Sequence, residues 1–403
     1  MDGDSQLMSK SVVMPIHSLR RIPAFMAAAC ALMGASLAQL PVEPLPNVET
    51  LPEKYPSSWL FAQDLAFYAL ATGRVYIVDP TVKSSDVHGM VDAAAFASFS
   101  YSQDRGELYV AETFYTRGLR GDRTDYLTIY DMATLAISAQ VELPGAKRSL
   151  SVTQKAALQL TRDGAFLLVY NFTPAASVSI LDLNSRKVVN EIPIPGCSLV
   201  YPHGEKGFAS FCADGSMIAF DLDENGKPLN EYRTVKFNDI DADPLFMKFA
   251  TDDDVAYFVS YKGFVQPVRL AGGEPEVLER MYLGGAVRQS SYGAGARPSG
   301  WQVITQDRSG KIYILMRPGA GDGDHKSGGS YVWVFDPNSG RVVREIELAG
   351  NSISIEVTGG RNSKLVATNE GMFLDIYDLK SGQHERIIGG WGPASPFALH
   401  AVQ

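Results

Sequence analysis

The sequence predicts an all-β chain folded as a seven-bladed β-propeller with four-stranded antiparallel blades. Two observations predict it. An alternating apolar run that ends in Asp and a polar turn recurs along the chain. Turn signals between the copies mark a second hairpin in each repeat. The 403 residues are 45% hydrophobic and 20% charged, the balance of a folded globular chain. Lys plus Arg number 36 against 45 Asp plus Glu, a net charge of −9. That acidity lacks the electrostatic footprint of a nucleic-acid binder.

The copies set out the blades in order. Val75-Tyr-Ile-Val-Asp79 and Leu127-Thr-Ile-Tyr-Asp131 come first. Val178-Ser-Ile-Leu-Asp182 and Met217-Ile-Ala-Phe-Asp221 follow. A weaker copy, Phe264-Val-Gln-Pro-Val-Arg269, ends in Arg. Val332-Trp-Val-Phe-Asp336 and Leu374-Asp-Ile-Tyr-Asp378 complete the series. Alternation buries one face of a strand. The Asp ends it by bonding its own turn backbone. Signals such as Thr161-Arg-Asp-Gly164 and Cys212-Ala-Asp-Gly215 supply the second hairpin. The ring closes through Leu60–Leu70 or through the late run Phe397–Val402. Helix is nearly absent, and the best helix-like stretches are as short as Glu276–Tyr282.

The N-terminal region reads as a secretory signal. Arg20 and Arg21 precede an Ala-rich apolar run that ends in small residues at Ala38. The run is short for a membrane span. The predicted organisation is a signal over 1–38, an irregular Pro-rich arm over 39–58 and one propeller domain over 59–403, exported to the periplasm. Cys30 leaves with the signal, and Cys197 and Cys212 remain. An even pair in an oxidising compartment favours a disulfide, with a redox or metal site as the other reading.

Chemistry-bearing motifs are sparse. His88, His203, His325, His384 and His400 are scattered without metal-ligand spacing, so no metal site is expected. Gly321-Asp-Gly-Asp-His-Lys326 lacks the closing Glu of a calcium loop. There is no nucleophile elbow and no phosphate loop. No catalytic residue is assigned. His325 stands out because it lies in a long insertion, and long propeller loops sit on functional faces. The stretch Thr113–Tyr126 reads as a loop whose Phe114, Tyr115, Arg117, Arg120 and Arg123 suit a protein interface. Trp301, in Arg297-Pro-Ser-Gly-Trp-Gln302, reads as a buried blade-edge residue.

Together these stretches resemble the heavy subunit of the quinoprotein amine dehydrogenases, the methylamine and aromatic amine dehydrogenase family. The matching segments are Thr116–Asp125, Gly196-Cys197, Phe211–Ser216, Arg297–Gln302 and Met316–Lys326. The aromatic branch is slightly nearer, through Asp243-Pro-Leu-Phe246 and Tyr257-Phe-Val-Ser-Tyr261. The resemblance implies a seven-bladed propeller and a Cys197–Cys212 disulfide. It implies that the cofactor, tryptophan tryptophylquinone, sits on a small light chain in an α2β2 assembly. The reaction it implies is oxidative deamination of a primary amine to aldehyde and ammonia. Electrons pass to a blue copper protein, azurin- or amicyanin-like. The heavy chain then serves as scaffold and channel wall, and Phe96 matches a channel-lining residue. Trp301 and His325 join the loop residues as light-chain interface candidates. Two other readings stand beside this one. They are a stand-alone propeller enzyme, lactonase-like, and a non-catalytic exported interaction propeller.

Overall fold

The computed structural model describes residues 50–403 except 66–69, 85, 95, 285–294 and 392–393. The expected signal and most of the arm lie outside the described residues. Among those described, the strands form six antiparallel sheets: four of four strands, one of five and one of eight. The unit of construction is the four-stranded antiparallel blade of a propeller.

Each sequence copy occupies the third strand of its sheet, except the last, which is the sixth strand along the eight-stranded sheet. Arg74–Val78, Arg120–Asp131, Ser177–Asp182 and Met217–Leu222 carry the first four. Phe264–Arg269, Gly329–Asp336 and Leu374–Asp378 carry the rest. The closing Asp works as its position predicts. Thr81, Thr134, Asn184 and Ser381 donate their backbone N–H groups to Asp79, Asp131, Asp182 and Asp378 at 2.7–2.8 Å. The Thr134 hydroxyl and then its N–H hold Asp131, and the Ser381 N–H and then its hydroxyl hold Asp378, below the usual carboxylate range. The fourth copy differs. Its strand runs on to Leu222, so Asp223 caps the turn through Asn225 and Lys227 at 2.8 Å.

The expected separate sheets merge at one place. Arg341–Val357 is a single 17-residue strand. It pairs with Gly329–Asp336 through Arg341–Glu347 and again at Ser352, and with Lys364–Asn369 through Ser352–Val357. Unbroken strand geometry through Leu348-Ala-Gly-Asn351 joins two hairpin pairs into the eight-stranded sheet. Ring closure uses both expected segments. Leu60–Asp64 pairs with Arg74–Val78 on one side and Pro396–Ala401 on the other. The segment expected to be most helix-like instead gives two short strands, Glu276–Val277 and Met281–Tyr282, both paired to Phe264–Arg269. Backbone pairing with that strand overrides the local propensity.

The core lies between sheets, and its clusters make a closed circuit. Phe61 and Val75 pack with Phe99 and Leu108 of the next sheet. Tyr109 and Leu127 pack with Leu158 and Leu167. The last cluster returns Val366 and Leu374 to Leu60 and Tyr76. Each such side chain, fully buried, contributes about 1.5–3 kcal/mol. Residues 50–58 are irregular and fasten to the second sheet. There the Tyr55 hydroxyl donates to the Met132 carbonyl at 2.6 Å.

Candidate functional site

Strand order decides where the candidate residues fall. In an antiparallel blade, the second-to-third and fourth-to-next-first connections emerge at the same end. Phe96, Gly118-Leu119, Arg148, Phe172, Tyr261 and His325 all lie on such connections, and Trp301 lies between Arg297–Pro298 and Ile304–Gln306, both paired to Ile312–Arg317. Cys197 begins a first strand and Cys212 ends the second, at that same end. The two cysteines face each other in register and form a disulfide.

A groove of about 740 Å³ opens there. The disulfide, Phe246, Lys248, Tyr261, Trp301 and His325 line it. Trp301 is half-buried in the groove wall instead of sealed at a blade edge. Its indole Nε1 donates to the Thr153 carbonyl at 2.8 Å. His325 stacks on Tyr261 at 4.2 Å, 17° from parallel. Its carbonyl accepts from the Gly300 N–H at 2.9 Å, which ties the insertion to the Trp301 segment. Burial, and then the Lys326 charge, push the His325 imidazole below its ordinary value. The Lys248 ammonium lies 4.1 Å from the Trp301 ring centre and donates to Gln154 Oε1. Burial lowers the Lys248 amine to about 7.

Phe96 does not line this groove. It occupies a turn before strand Ser98–Ser102, half-buried, with φ at 54°. A polar chain connects its neighbourhood to Trp301. Gln63 Nε2 donates to the Ala97 carbonyl at 2.6 Å, and Thr153 Oγ1 donates to Gln63 Oε1 at 2.8 Å. Trp301 then bonds the Thr153 carbonyl.

The stretch read as a loop is a paired β-ribbon. Glu107–Arg117 and Arg120–Asp131 pair out to Arg117 and Arg120, with a register shift after Tyr115 and Gly118-Leu119 at the tip. Phe114, Arg117, Leu119 and Arg120 are exposed, and Tyr115 is half-buried. Arg123 turns inward. Its Nε and Nη2 grip the fully buried Asp125 at 2.9 and 2.8 Å. A buried carboxylate demands such a partner, so Arg123 is occupied within the chain. Arg148, Glu112, Thr113 and Thr128 extend this buried polar cluster. Burial raises the Glu112 carboxyl and lowers Arg148 to about 10.

Sequence reasoning missed Lys248 and Arg148. A lone charge inside the apolar run Leu245-Phe-Met-Lys-Phe-Ala250 was the available signal for Lys248. No group of three or more His, Cys, Asp or Glu able to hold a metal occurs among the described residues. No described helix is long and apolar enough to cross a membrane.

Fold and site together define a propeller with an aromatic groove at one end of its strands and the disulfide in that groove's wall. The chain belongs to the methylamine dehydrogenase heavy chain (MADH) family, whose sequence profile matches residues 58–400. The heavy chain from Methylobacillus flagellatus is 26% identical over 344 residues, covering 81% of this chain and 84% of that protein. The heavy chain from Paracoccus versutus is 28% identical over 342 residues, covering 83% and 78%. Among solved structures, a functionally unknown protein from Desulfotomaculum acetoxidans superposes with a TM-score of 0.55 at 13% identity, covering 86% of this chain and all of that one. The dihydro-heme d1 dehydrogenase NirN gives 0.52 at 16% identity, covering 91% and 78%. At such identities these two similarities speak for the fold alone.

Proposed function

We propose that this chain is the heavy subunit of a periplasmic amine dehydrogenase that deaminates a primary amine to aldehyde and ammonia. The observation that carries this reading is the family match across residues 58–400. The subunit is scaffold and channel wall, and a light chain docks on the grooved end in an α2β2 assembly. A blue copper protein accepts the electrons. Phe96 lines the amine's path, and Phe114, Tyr115, Arg117, Arg120, Trp301 and His325 face the light chain. Arg123 supports that face from within, through Asp125. The ring has seven blades, counting the eight-stranded sheet as two that share Arg341–Val357. Its partner-switching register supports that count.

The cofactor belongs to the light chain. Tryptophan tryptophylquinone joins two Trp of one chain and supplies the electron-accepting carbonyl chemistry. Three of the four tryptophans here meet other rings, and the fourth, Trp333, packs in a core cluster between sheets. Trp59 stacks on His88, Trp301 meets Phe397, and Trp391 meets Tyr76. Relatives named for methylamine set a small amine beside the aromatic lean of the sequence motifs. The substrate class is therefore a primary amine.

Native purification with a visible spectrum, before and after adding a primary amine, tests the proposal. A quinone band that bleaches on amine, with a co-eluting small chain, is the expected result. A colourless single chain overturns it and favours a non-catalytic interaction propeller or a stand-alone enzyme.

A further inference from the structure

The groove has a charge pattern that its chain does not. The protein as a whole is acidic, at −9. The groove lining contains Lys248, Lys326 and His325 and no Asp or Glu. Lys248 makes no carboxylate ion pair among the described residues; its ammonium rests on Gln154 and the Trp301 ring. A cation withdrawn from water with only an amide and an aromatic face is under-compensated. The rim is apolar: Phe172 is 65% exposed and Ile240 44%. Large exposed apolar groups around a concave wall mark a docking surface for another chain.

We propose that the groove receives an apolar segment of the light chain bearing one carboxylate, and that this carboxylate pairs with the Lys248 ammonium. This rests on the light-chain reading above. The occupant's apolar body covers Phe172 and Ile240. Its carboxylate supplies the one charge the lining lacks. Burial beside an opposite charge makes such a pair selective, because truncating either partner leaves the other unpaired.

The test uses the native heavy–light complex. A zero-length carbodiimide activates a carboxylate, which the Lys248 amine attacks to form an amide, releasing the urea. Peptide mass spectrometry is expected to find Lys248 joined to a light-chain Asp, Glu or terminal carboxylate. Lys248→Met is expected to weaken light-chain retention at least tenfold, and Lys248→Arg to restore most of it. Thermal unfolding of the free heavy chain controls for folding. Wild-type complex with no Lys248 crosslink and unchanged retention in Lys248→Met overturns the inference and leaves the light-chain reading standing. A wild-type chain that holds no light chain overturns that reading instead. Phenylacetate, a free aromatic carboxylate, is the last arm. If it raises the heavy chain's melting temperature through Lys248 while light-chain binding ignores the mutation, the groove is a small-molecule site and the inference fails.

Discussion

Arg148 Nη1 donates to the Phe96 carbonyl at 2.8 Å, while Phe96 holds a φ of 54°. A bulky residue avoids that left-handed region, at a cost of about 1–2 kcal/mol. The guanidinium that holds it there is itself fully buried and also bonds Thr113 Oγ1 through Nη2 at 2.7 Å. The Arg148 backbone N–H donates to Asp125 at 2.9 Å. One side chain thus fixes both the Phe96 turn and the base of the exposed ribbon.

Replacing Arg148 with Met leaves Thr113 and the Phe96 carbonyl short of a donor and removes a charge that compensates the buried acids. Losing one member of a buried charged cluster costs about 3–5 kcal/mol. Urea unfolding of wild type and Arg148→Met measures it. A loss under 1 kcal/mol would show that the cluster tolerates the gap.

If Phe96 lines the amine path, its ring limits the size of the amine. Phe96→Ala is expected to raise the kcat/KM ratio of a bulky over a small primary amine by about tenfold, the scale a pocket wall commands. Steady-state kinetics on an amine series decides this. An unchanged ratio returns Phe96 to a purely structural role.

The disulfide closes a short segment, Cys197 to Cys212, with a sequence separation of 15. A closed loop of that length restricts the unfolded chain by about 3 kcal/mol. The Cys197→Ala, Cys212→Ala double variant should lose roughly that much in denaturant unfolding. Because the disulfide also lines the groove, light-chain retention should fall with it.

Lys248 gives a pH signature. Its folded value of about 7 lies below the ordinary lysine value. Between the two values the unfolded chain binds the extra proton. Stability from this group therefore rises as pH climbs through and above 7, and is lower below it. Lys248→Met removes the slope. Comparing melting temperatures of the two free heavy chains from pH 6 to 9 checks the sign: wild type should gain on the variant as pH rises.

Much of this was readable before any coordinates. The alternating runs ending in Asp land on the third strand of a sheet, or the sixth of the eight-stranded one, because alternation and turn chemistry are local. Asp221 misled because its strand continues one residue further and passes the cap to Asp223. The Thr113–Tyr126 stretch looked like a loop because its polar residues hide the register that carries the ribbon outward. Arg148, flanked by Lys147 and Ser149, carries no local sign of burial, which follows from packing across sheets. Lys248 and Trp301 lie next to strands of different sheets, and only packing between sheets brings them together.

The pairing of Leu60–Asp64 with Pro396–Ala401 has a consequence during synthesis. Leu60–Asp64 is made long before Pro396–Ala401 and waits for it. Until then its outer backbone groups face solvent, an open template for wrong neighbours. Clipping Pro396–Ala401 by a protease would reopen the circle by unpairing Leu60–Asp64.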